Sequence, residues 1–326
     1  MKAITFESFG EADVLQLTDV PDPVVRPHDL LVRNRAAGVN RADLNQRRGA
    51  YGRADFGDST LMGLEIAGEV VAMGDEVAGF AIGDRVMGIV GGGSYAELAR
   101  FDHRMAIRVP EGMDIVLAGA IPEVFVTAHE ALIHLGRLQP GEKVLIHAAA
   151  GGVGSAAVQL AHAVGAQVFA TASASKHDEV RALGADVLVD HKAQDFADVV
   201  RAEAGERGVD VVIDFIGAPY LERNVRALAE GGRLVQVGLM GGSTGAALPL
   251  DRVLFRHLQI MGTVMKSRTP EVKQAMTRRF ADAWLAHFGD GRLKPVLDRR
   301  YPLAEAAEAH RRMEAGLNVG KIVLVP

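Results

Sequence analysis

The residues with the clearest chemical role form a glycine turn between an apolar segment and a helix-forming segment. Residues 144–146 are apolar, residues 151–154 contain three glycines, and an alanine-rich stretch follows directly. Such glycines let the backbone turn tightly and approach a phosphate, and free N–H groups at a helix start attract negative charge. A further apolar strand at 167–171 completes the required order of elements. The segment therefore predicts the pyrophosphate-binding turn of a dinucleotide cofactor.

Two registers of the glycine pattern fit. In the first, Ala149 takes the turn position, Gly151 lies against the pyrophosphate and Gly154 lets the helix pack closely on the strand. In the second, Gly152, Gly154 and Ala157 take these positions. The sequence leaves both registers open, together with the alternative of a tight turn that binds no ligand.

The residues after the second strand favour NADP(H) over NAD(H). An NAD site places Asp or Glu about twenty residues beyond the glycines, where it accepts hydrogen bonds from the adenosine ribose. Residues 171–176 contain no acidic side chain. Ser173 can donate a hydrogen bond to a 2′-phosphate, and Lys176 can neutralise part of its charge. Alternatively, Ser175 and Asp178 form a capping box, and Lys176 is a solvated residue of a helix's first turn.

The elements that position these residues fall into two parts. A chain of 326 residues exceeds the size at which one core usually keeps growing. Alternating segments broken by turns predict an irregular antiparallel barrel in the first part; they lie at 30–37, 68–73, 84–89 and 95–101. Six apolar strands separated by helical stretches predict a doubly wound parallel sheet; they lie at 144–147, 167–171, 186–189, 210–215, 233–238 and 258–264.

The remaining C-terminal segment reads as a mixture of helices and strands. We expect a helix over 271–288, a short strand near Val296, a helix from Leu303 and a final strand over 321–325. This tail is expected to fold back onto the first part. The predicted fold is thus α/β, with one domain made of 1–120 and 266–326 and the other of 121–265.

Composition excludes several classes of protein. The chain has no cysteine, which rules out disulfides, thiolate nucleophiles, iron–sulfur clusters and thiolate zinc sites. Its formal charge is −5 with no sustained basic run, which argues against a nucleic-acid partner. No apolar stretch is long enough to cross a bilayer and no leader is visible, so we expect a cytoplasmic protein without membrane association.

Several segments together resemble one family, the zinc-independent quinone oxidoreductases of the medium-chain dehydrogenase/reductase superfamily. The matching segments are the glycine turn and residues 40–44, 63–68, 83–86, 238–242 and 318–322. Leu64 stands where zinc-dependent relatives carry the histidine of a Gly-His-Glu segment. Residues 40–43 and 296–302 are most similar to the tumour-suppressor-inducible quinone oxidoreductase subgroup.

The resemblance implies a GroES-like β-barrel catalytic domain, a Rossmann domain, and hydride transfer from NADPH to a quinone. It also implies that Asn40 and Tyr51 border the substrate, and we take these two as the candidate catalytic residues. The predicted cofactor-binding residues are Thr127, Ala150, Gly151, Gly152, Val153, Gly154, Ser173, Lys176, His191, Ile216, Leu239, Met240, Gly241 and Asn318.

Three of these residues have alternative interpretations. Close relatives carry a tyrosine where this chain has His191, which either donates to the adenosine phosphate or is an ordinary surface histidine. Asn40 either donates to an oxygen that gains charge, an interaction worth about 3 kcal/mol, or caps the following helical turn. Tyr51 either borders the substrate or covers the core. No essential acid or base is evident, and water is a sufficient proton source.

Other functions compete with quinone reduction. Residues 241–245 fit the Gly-x-Ser-x-Gly pattern of serine hydrolases, but the following residues read as a loop where that motif requires a helix. Reduction of activated C=C bonds, as in alkenal or enoyl reductases, uses the same fold and hydride donor. A third alternative is a protein that senses NADPH without turnover.

The last predicted strand of the parallel sheet, at 258–264, is apolar. An exposed edge of this kind invites association, and the family resemblance implies the same, so we expect a homodimer. The histidines show no metal-ligand spacing, and no metal site is predicted.

Overall fold

The computed structural model describes residues 1–50, 59–205 and 207–326. These residues divide into two compact units, 1–126 with 269–326, and 127–268. The strands, in chain order, are β1 (Lys2–Thr5), β2 (Gln16–Asp19), β3 (Asp29–Val39), β4 (Glu65–Met73), β5 (Arg85–Ile89), β6 (Leu98–Asp102), β7 (Ala106–Arg108), β8 (Lys143–Ile146), β9 (Gln167–Ala172), β10 (Val187–Asp190), β11 (Val209–Asp214), β12 (Leu228–Gln236), β13 (Gln259–Gly262), β14 (Leu297–Pro302) and β15 (Lys321–Val325).

Helices connect and cover these strands. The α-helices are α1 (Arg41–Arg47), α2 (Ile115–Ala118), α3 (Pro122–His129), α4 (Gly152–Val164), α5 (His177–Ala182), α6 (Phe196–Ala204), α7 (Leu221–Ala227), α8 (Leu250–Phe255), α9 (Pro270–Trp284), α10 (Ala286–Gly289) and α11 (Ala306–Glu314). A π-helical turn, Glu130–Leu135, follows α3. Within the described ranges, no helix combines the length and apolarity needed to span a membrane.

The first unit is organised around the long strand β3. Its first half pairs with β6, its last residues pair with β15, and β4 runs antiparallel along most of its length. The sheet order is β14-β15-β3-β4-β5-β7, and β1 and β2 form a separate antiparallel pair. A core of buried side chains lies between the sheet and α11; it includes Leu44, Tyr95, Ala309, Ile322 and Leu324. This is the GroES-like fold that the sequence predicted.

The C-terminal strand brings the end of the chain into this sheet. Ile322 on β15 pairs with Val39 on β3, and β15 also runs parallel to β14. The helix expected over 271–288 is divided into α9 and α10, and α11 begins at Ala306 after a short 3-10 turn at Leu303–Glu305.

The second unit contains the predicted doubly wound sheet. Its order is β10-β9-β8-β11-β12-β13, and every neighbouring pair is parallel. The strand order reverses between β8 and β11, and at such a point a crevice forms at the carboxyl ends of the strands. Two boundaries differ from the prediction: β12 already begins at Leu228, and β13 is limited to Gln259–Gly262.

The start of α4 explains the third glycine of the turn. A Cβ atom on Gly154 would lie 2.3 Å from the Ala148 carbonyl oxygen and 2.7 Å from the Ala149 Cα. The helix therefore packs on the turn at a distance that only glycine allows. This contact corresponds to the register in which Gly154 takes the third position.

We expect Gly154→Ala to lower stability, because the added methyl group forces α4 away from the turn. Overpacking of this kind costs about 1–3 kcal/mol, which thermal unfolding followed by circular dichroism would detect. Gly289→Ala is the matched control, since nothing lies within 4 Å of the Cβ built there. Equal melting temperatures for the two variants would contradict the close contact.

Candidate functional site

A network of buried polar side chains lies next to the glycine turn. His147 follows β8 and is fully buried; its Nδ1 lies 3.1 Å from Thr171 Oγ1, and its Nε2 lies 2.7 Å from Asn224 Oδ1. Asn224 donates in turn to Asp214 at the end of β11, over 2.9 Å. Asp214 also accepts from the Ile216 N–H at 2.6 Å. The network thus joins the carboxyl ends of β8, β9 and β11 through side chains.

Burial keeps the histidine of this network uncharged. It lowers the pKa of His147 to about 4, a fall opposed by the hydrogen bond to Asn224. Burial also raises the pKa of Asp214, while the backbone N–H groups of Ile216 and Gly217 act in the opposite direction. His147 is therefore an uncharged, orienting group at neutral pH.

The turn itself presents the N–H groups that begin α4. Ala149 N–H donates to the Thr171 carbonyl at 2.9 Å, which ties the turn to β9. Gly151 occupies the N-cap, and the first helical bond of α4 runs from Ser155 N–H to the Gly151 carbonyl at 2.8 Å. The intervening N–H groups, on residues 152–154, precede this first bond and are of the kind that binds phosphate. Ala150 is buried beside them.

The residues predicted for the adenosine phosphate lie after two neighbouring strands. Ala172 and Asp190 are partners in the parallel pair β9 and β10, and Ser173 and His191 follow them directly. His191 is exposed. The register therefore brings these predicted residues to the same edge of the sheet.

The alternative capping box at Ser175 is not formed. A 3-10 turn, Ala174–Lys176, precedes α5, so the N-cap of α5 is Lys176 and no side chain caps that helix end. The helix therefore starts one residue later than the capping box predicts. Lys176 is half-buried at this end.

The loops after β11 and β12 are joined by backbone hydrogen bonds. Met240 N–H donates to the Phe215 carbonyl at 3.0 Å, and Gly241 N–H donates to the Ile216 carbonyl at 2.8 Å. Leu239 and Met240 are about half exposed. The structure thus brings Ile216 together with the predicted 239–241 segment.

The remaining predicted contacts lie on other elements. Thr127 is a half-buried residue of α3, and Asn318 is buried with its Nδ2 donating to the Gly320 carbonyl at 2.8 Å. Tyr51 lies outside the described residues. Ser243 of the Gly-x-Ser-x-Gly match is exposed and is followed by a loop up to Leu250, so no helix continues that motif.

A second polar cluster is buried in the first unit. Lys321 on β15 is 2% exposed, and its ammonium contacts the Glu65 carboxylate and donates to Asn40 Oδ1 at 2.7 Å. It also donates to the Val39 carbonyl at 2.8 Å. Glu65 on β4 further accepts from Asn40 Nδ2 at 2.9 Å and from the Glu123 N–H at 3.0 Å. A buried ion pair therefore links β4 and β15, with a side chain of the β3–α1 junction between them.

Asn40 forms hydrogen bonds within the protein through its backbone and through both atoms of its amide group. Its Nδ2 donates both to Glu65 and to the Gly38 carbonyl, at 2.9 and 3.2 Å, so both amide hydrogens are engaged within the protein. It is also the N-cap of α1, and its N–H donates to Asp43 at 2.7 Å. A hydrogen bond from Asn40 to a substrate would require one of these bonds to break, and its catalytic role remains a prediction.

A chain of hydrogen bonds continues from Asp43. Tyr95 Oη lies 3.0 Å from Asp43 Oδ2 and 3.1 Å from His310 Nε2, and Arg47 Nη1 lies 3.4 Å from His310 Nδ1. Because a guanidinium only donates, His310 Nδ1 accepts, Nε2 carries the proton, and the Tyr95 hydroxyl donates to Asp43. Arg47, which is fully buried, also forms an ion pair with Glu314.

Two acids of this region have raised pKa values. Burial raises the pKa of Asp43 to about 7 and that of Glu123 to about 8, and the Glu65 charge acts in the same direction on both. Burial also lowers the pKa of His310 to about 3, with Arg47 contributing. At pH 7, Glu123 is mainly a protonated carboxyl group beside a charged carboxylate.

Sequence reasoning missed Lys321 and Glu123 as functional candidates. The sequence does show a feature that could have indicated them, because each is a charged residue next to apolar residues. Lys321 precedes Ile-Val-Leu-Val, and Glu123 lies between Ile-Pro and Val-Phe. A charge at such a position is rarely buried unless it is paired or neutralised. Among the residues that the structure describes, no cluster of acidic and histidine side chains could hold a metal ion.

Comparison with known proteins places this geometry in a family. Residues 26–111 match the alcohol dehydrogenase GroES-like domain, and residues 152–282 match the zinc-binding dehydrogenase family. Quinone oxidoreductase of Homo sapiens is 34% identical over 330 residues, which cover 100% of this chain and 98% of that protein. The chain belongs to the quinone oxidoreductase family. It is an oxidoreductase of the medium-chain dehydrogenase/reductase superfamily.

Solved structures of this superfamily superpose on the whole chain. The Escherichia coli quinone oxidoreductase complexed with NADPH has a TM-score of 0.91 at 25% identity, covering 100% of both chains. The CurK enoyl reductase has a TM-score of 0.87 at 28% identity, covering 99% of this chain and 98% of that one. The fold and the family predicted from the sequence are thus confirmed.

We expect the stability of Glu123→Gln relative to wild type to increase with pH. In the wild type, the folded carboxyl holds its proton up to about pH 8, whereas its ordinary pKa is 4.5. The folded state therefore binds more protons than the unfolded state across this window, and the free energy of unfolding falls as the pH rises through it. Glutamine does not titrate, so the variant escapes this loss.

Melting temperatures at about pH 5 and about pH 9 would check this expectation, with the variant gaining only at the higher pH. Glu308→Gln is the control, because Glu308 is a solvent-exposed residue of α11. A constant difference between Glu123→Gln and wild type at both pH values would show that the carboxyl is ionised throughout.

Proposed function

We propose that this family member is an NADPH-dependent quinone oxidoreductase that transfers a hydride to a quinone without a metal. The observation that supports it most is the start of α4, where Gly154 packs against Ala148 and leaves the first helical N–H groups beside the turn. A helix start of this form fits a pyrophosphate, because its N–H groups and dipole favour negative charge. The human and Escherichia coli quinone oxidoreductases support the same assignment.

Each proposed contact has a defined chemical task. Residues 150–154 would bind the pyrophosphate through backbone N–H groups, and the network below them keeps the turn in place through neutral His147. Ser173 would donate to the 2′-phosphate, Lys176 would neutralise part of its charge, and His191 would offer a further donor at the same sheet edge.

The nicotinamide half would lie against residues of several elements. We assign these contacts to Thr127, Ile216, Asn318 and the segment 239–241, and the substrate border to Asn40 and Tyr51. NADPH, when bound, supplies the hydride. The contribution of the protein is to hold the acceptor, exclude water and stabilise the charge that develops on the acceptor oxygen.

Reduction of an activated C=C bond is the second candidate. The CurK enoyl reductase has the same fold over almost the entire chain and supports this alternative. The two reactions share the hydride donor and differ in the acceptor atom, which is a carbonyl-conjugated carbon in an enal and the quinone system in the proposed function.

Oxidation of NADPH tests the proposal directly. We expect turnover with 1,4-benzoquinone or an ortho-naphthoquinone and a strong preference for NADPH over NADH. Turnover with a conjugated enal alone would favour the double-bond reductase. Tight NADPH binding without turnover of any acceptor would favour a sensor of NADPH.

We expect Lys176→Ala to weaken binding of NADPH while leaving NADH binding unchanged. The loss of one charged contact to the 2′-phosphate corresponds to about 1.5–3 kcal/mol, or roughly 10- to 100-fold in affinity. Fluorescence titration with both nucleotides measures this. Arg181→Ala is the matched control, because it removes the same charge from an exposed position on α5. Equal losses for NADPH and NADH would contradict the assignment of Lys176.

We also propose that two copies associate through β13. This strand pairs with β12 on one side and forms an edge of the sheet, and Ile260 on it is 40% exposed. The adjoining helix α8 exposes Leu250, Leu254 and Phe255. An apolar sheet edge beside an apolar helix is a surface that a second copy would cover.

We expect the wild type to be a dimer and Ile260→Lys to be a monomer in light scattering coupled to gel filtration, because a buried lysine would lose hydration without a partner. Ile82→Lys is the control, since Ile82 is an exposed apolar residue of the first unit. A monomeric wild type at micromolar concentration would overturn this proposal.

A further inference from the structure

Glu123 occupies an unusual electrostatic position in the first turn of α3. Its N–H donates to Glu65 Oε2, and the Glu65 carboxylate also accepts from Lys321 and from Asn40 Nδ2. Glu65 therefore accepts hydrogen bonds from three donors. The Glu65 carboxylate acts on the Glu123 carboxyl group as a neighbouring negative charge.

One oxygen of the Glu123 carboxyl group lacks a hydrogen-bond partner in the described part of the chain. Its Oε2 is fully buried without a hydrogen-bond partner among the residues that the structure describes, whereas the residue as a whole is only partly buried. Side-chain oxygens buried in this way are normally satisfied by hydrogen bonds. A carboxyl group with an unsatisfied oxygen, on a residue that is only partly buried, is suited to meet a group that is not part of the protein.

The charges around Glu123 decide its protonation state. Burial is the largest cause of its raised pKa, which lies at about 8; Glu65 and Asp43 act in the same direction, while Lys321 and Lys273 oppose them. At neutral pH the group holds a proton and can still release it. A general acid works best when its pKa is close to the working pH.

Glu123 also shares a helix face with a residue of the proposed nicotinamide contact. It lies four residues before Thr127 in α3, and side chains with this spacing are neighbours on a helix surface. The carboxyl is thus one helical turn from the position proposed to contact the nicotinamide.

We infer that Glu123 is the proton donor of the reaction, a catalytic residue whose carboxyl group touches the acceptor oxygen. The inference rests on the proposed function. NADPH, when bound, would supply the hydride, which is one proton and two electrons, and would become NADP⁺. The O–H bond of Glu123 breaks, its proton joins the reduced quinone oxygen to complete the hydroquinone, and the resulting carboxylate takes a new proton from water.

Glu123→Gln tests this role because glutamine keeps the shape and cannot transfer a proton. We expect kcat for the quinone to fall about 100-fold, within the range of general acid catalysis, while the dissociation constant of NADPH stays unchanged. In the wild type, kcat should fall as the pH rises through about 8, and this limb should disappear in the variant. Glu308→Gln, at an exposed position on α11, is the control for activity.

Infrared spectroscopy adds a readout that needs no turnover. The carbonyl stretch of a protonated carboxyl should disappear from the wild-type spectrum as the pH rises through about 8, and this band should be missing in Glu123→Gln. Asp43→Asn separates the two neighbouring acids, because it should retain the band that titrates near pH 8.

The outcomes distinguish this inference from the proposed function. Full quinone turnover by Glu123→Gln with an unchanged pH limb would overturn the role of Glu123 and leave quinone reduction intact. Loss of the limb in Asp43→Asn but not in Glu123→Gln would overturn it in favour of Asp43. A wild type that binds NADPH but reduces no quinone would overturn both.

Discussion

The ammonium of Lys321 and the carboxylate of Glu65 are both buried in the first unit. Each buried charge is compensated by the other charge and by hydrogen bonds from its neighbours. Removing one member would leave the other charged without compensation, a loss of about 3–5 kcal/mol in comparable buried pairs. The pair joins β15 to β4 across the end of β3, where Lys321 also binds Asn40 and the Val39 carbonyl. The last strand of the chain is therefore held by electrostatics as well as by its ladder.

The same ion pair sets the chemistry of its neighbours. Asn40 donates from its amide nitrogen to Glu65 and accepts at its amide oxygen from Lys321. These two hydrogen bonds fix the orientation of the Asn40 side chain. Burial, and after it the Glu65 carboxylate, raises the pKa of Glu123, so this acid keeps its proton at neutral pH. Two acids whose environments move their pKa values apart can take different chemical roles.

The second unit is stabilised by a buried polar network in which the central histidine is uncharged. Burial keeps His147 neutral, and the chain of His147, Asn224 and Asp214 is satisfied by one hydrogen bond after another. Such a network fixes side chains and the turn above them without adding positive charge of its own. The start of α4 then supplies positive potential at the turn.

The sequence by itself determined the family, both folds and the glycine turn, because these depend on local patterns: strand and helix periods, and glycines where a backbone must come close. It also predicted Asn40 and segments that follow strands of the parallel sheet as candidate site residues. Only the tertiary structure showed the contact of Gly154 with Ala148, which corresponds to the first register, and the short turn that replaces the capping box at Ser175. It alone revealed the neighbours of Glu123 and Lys321, because Glu65 and Lys321 are far apart in sequence, and burial and pairing arise only when distant segments meet.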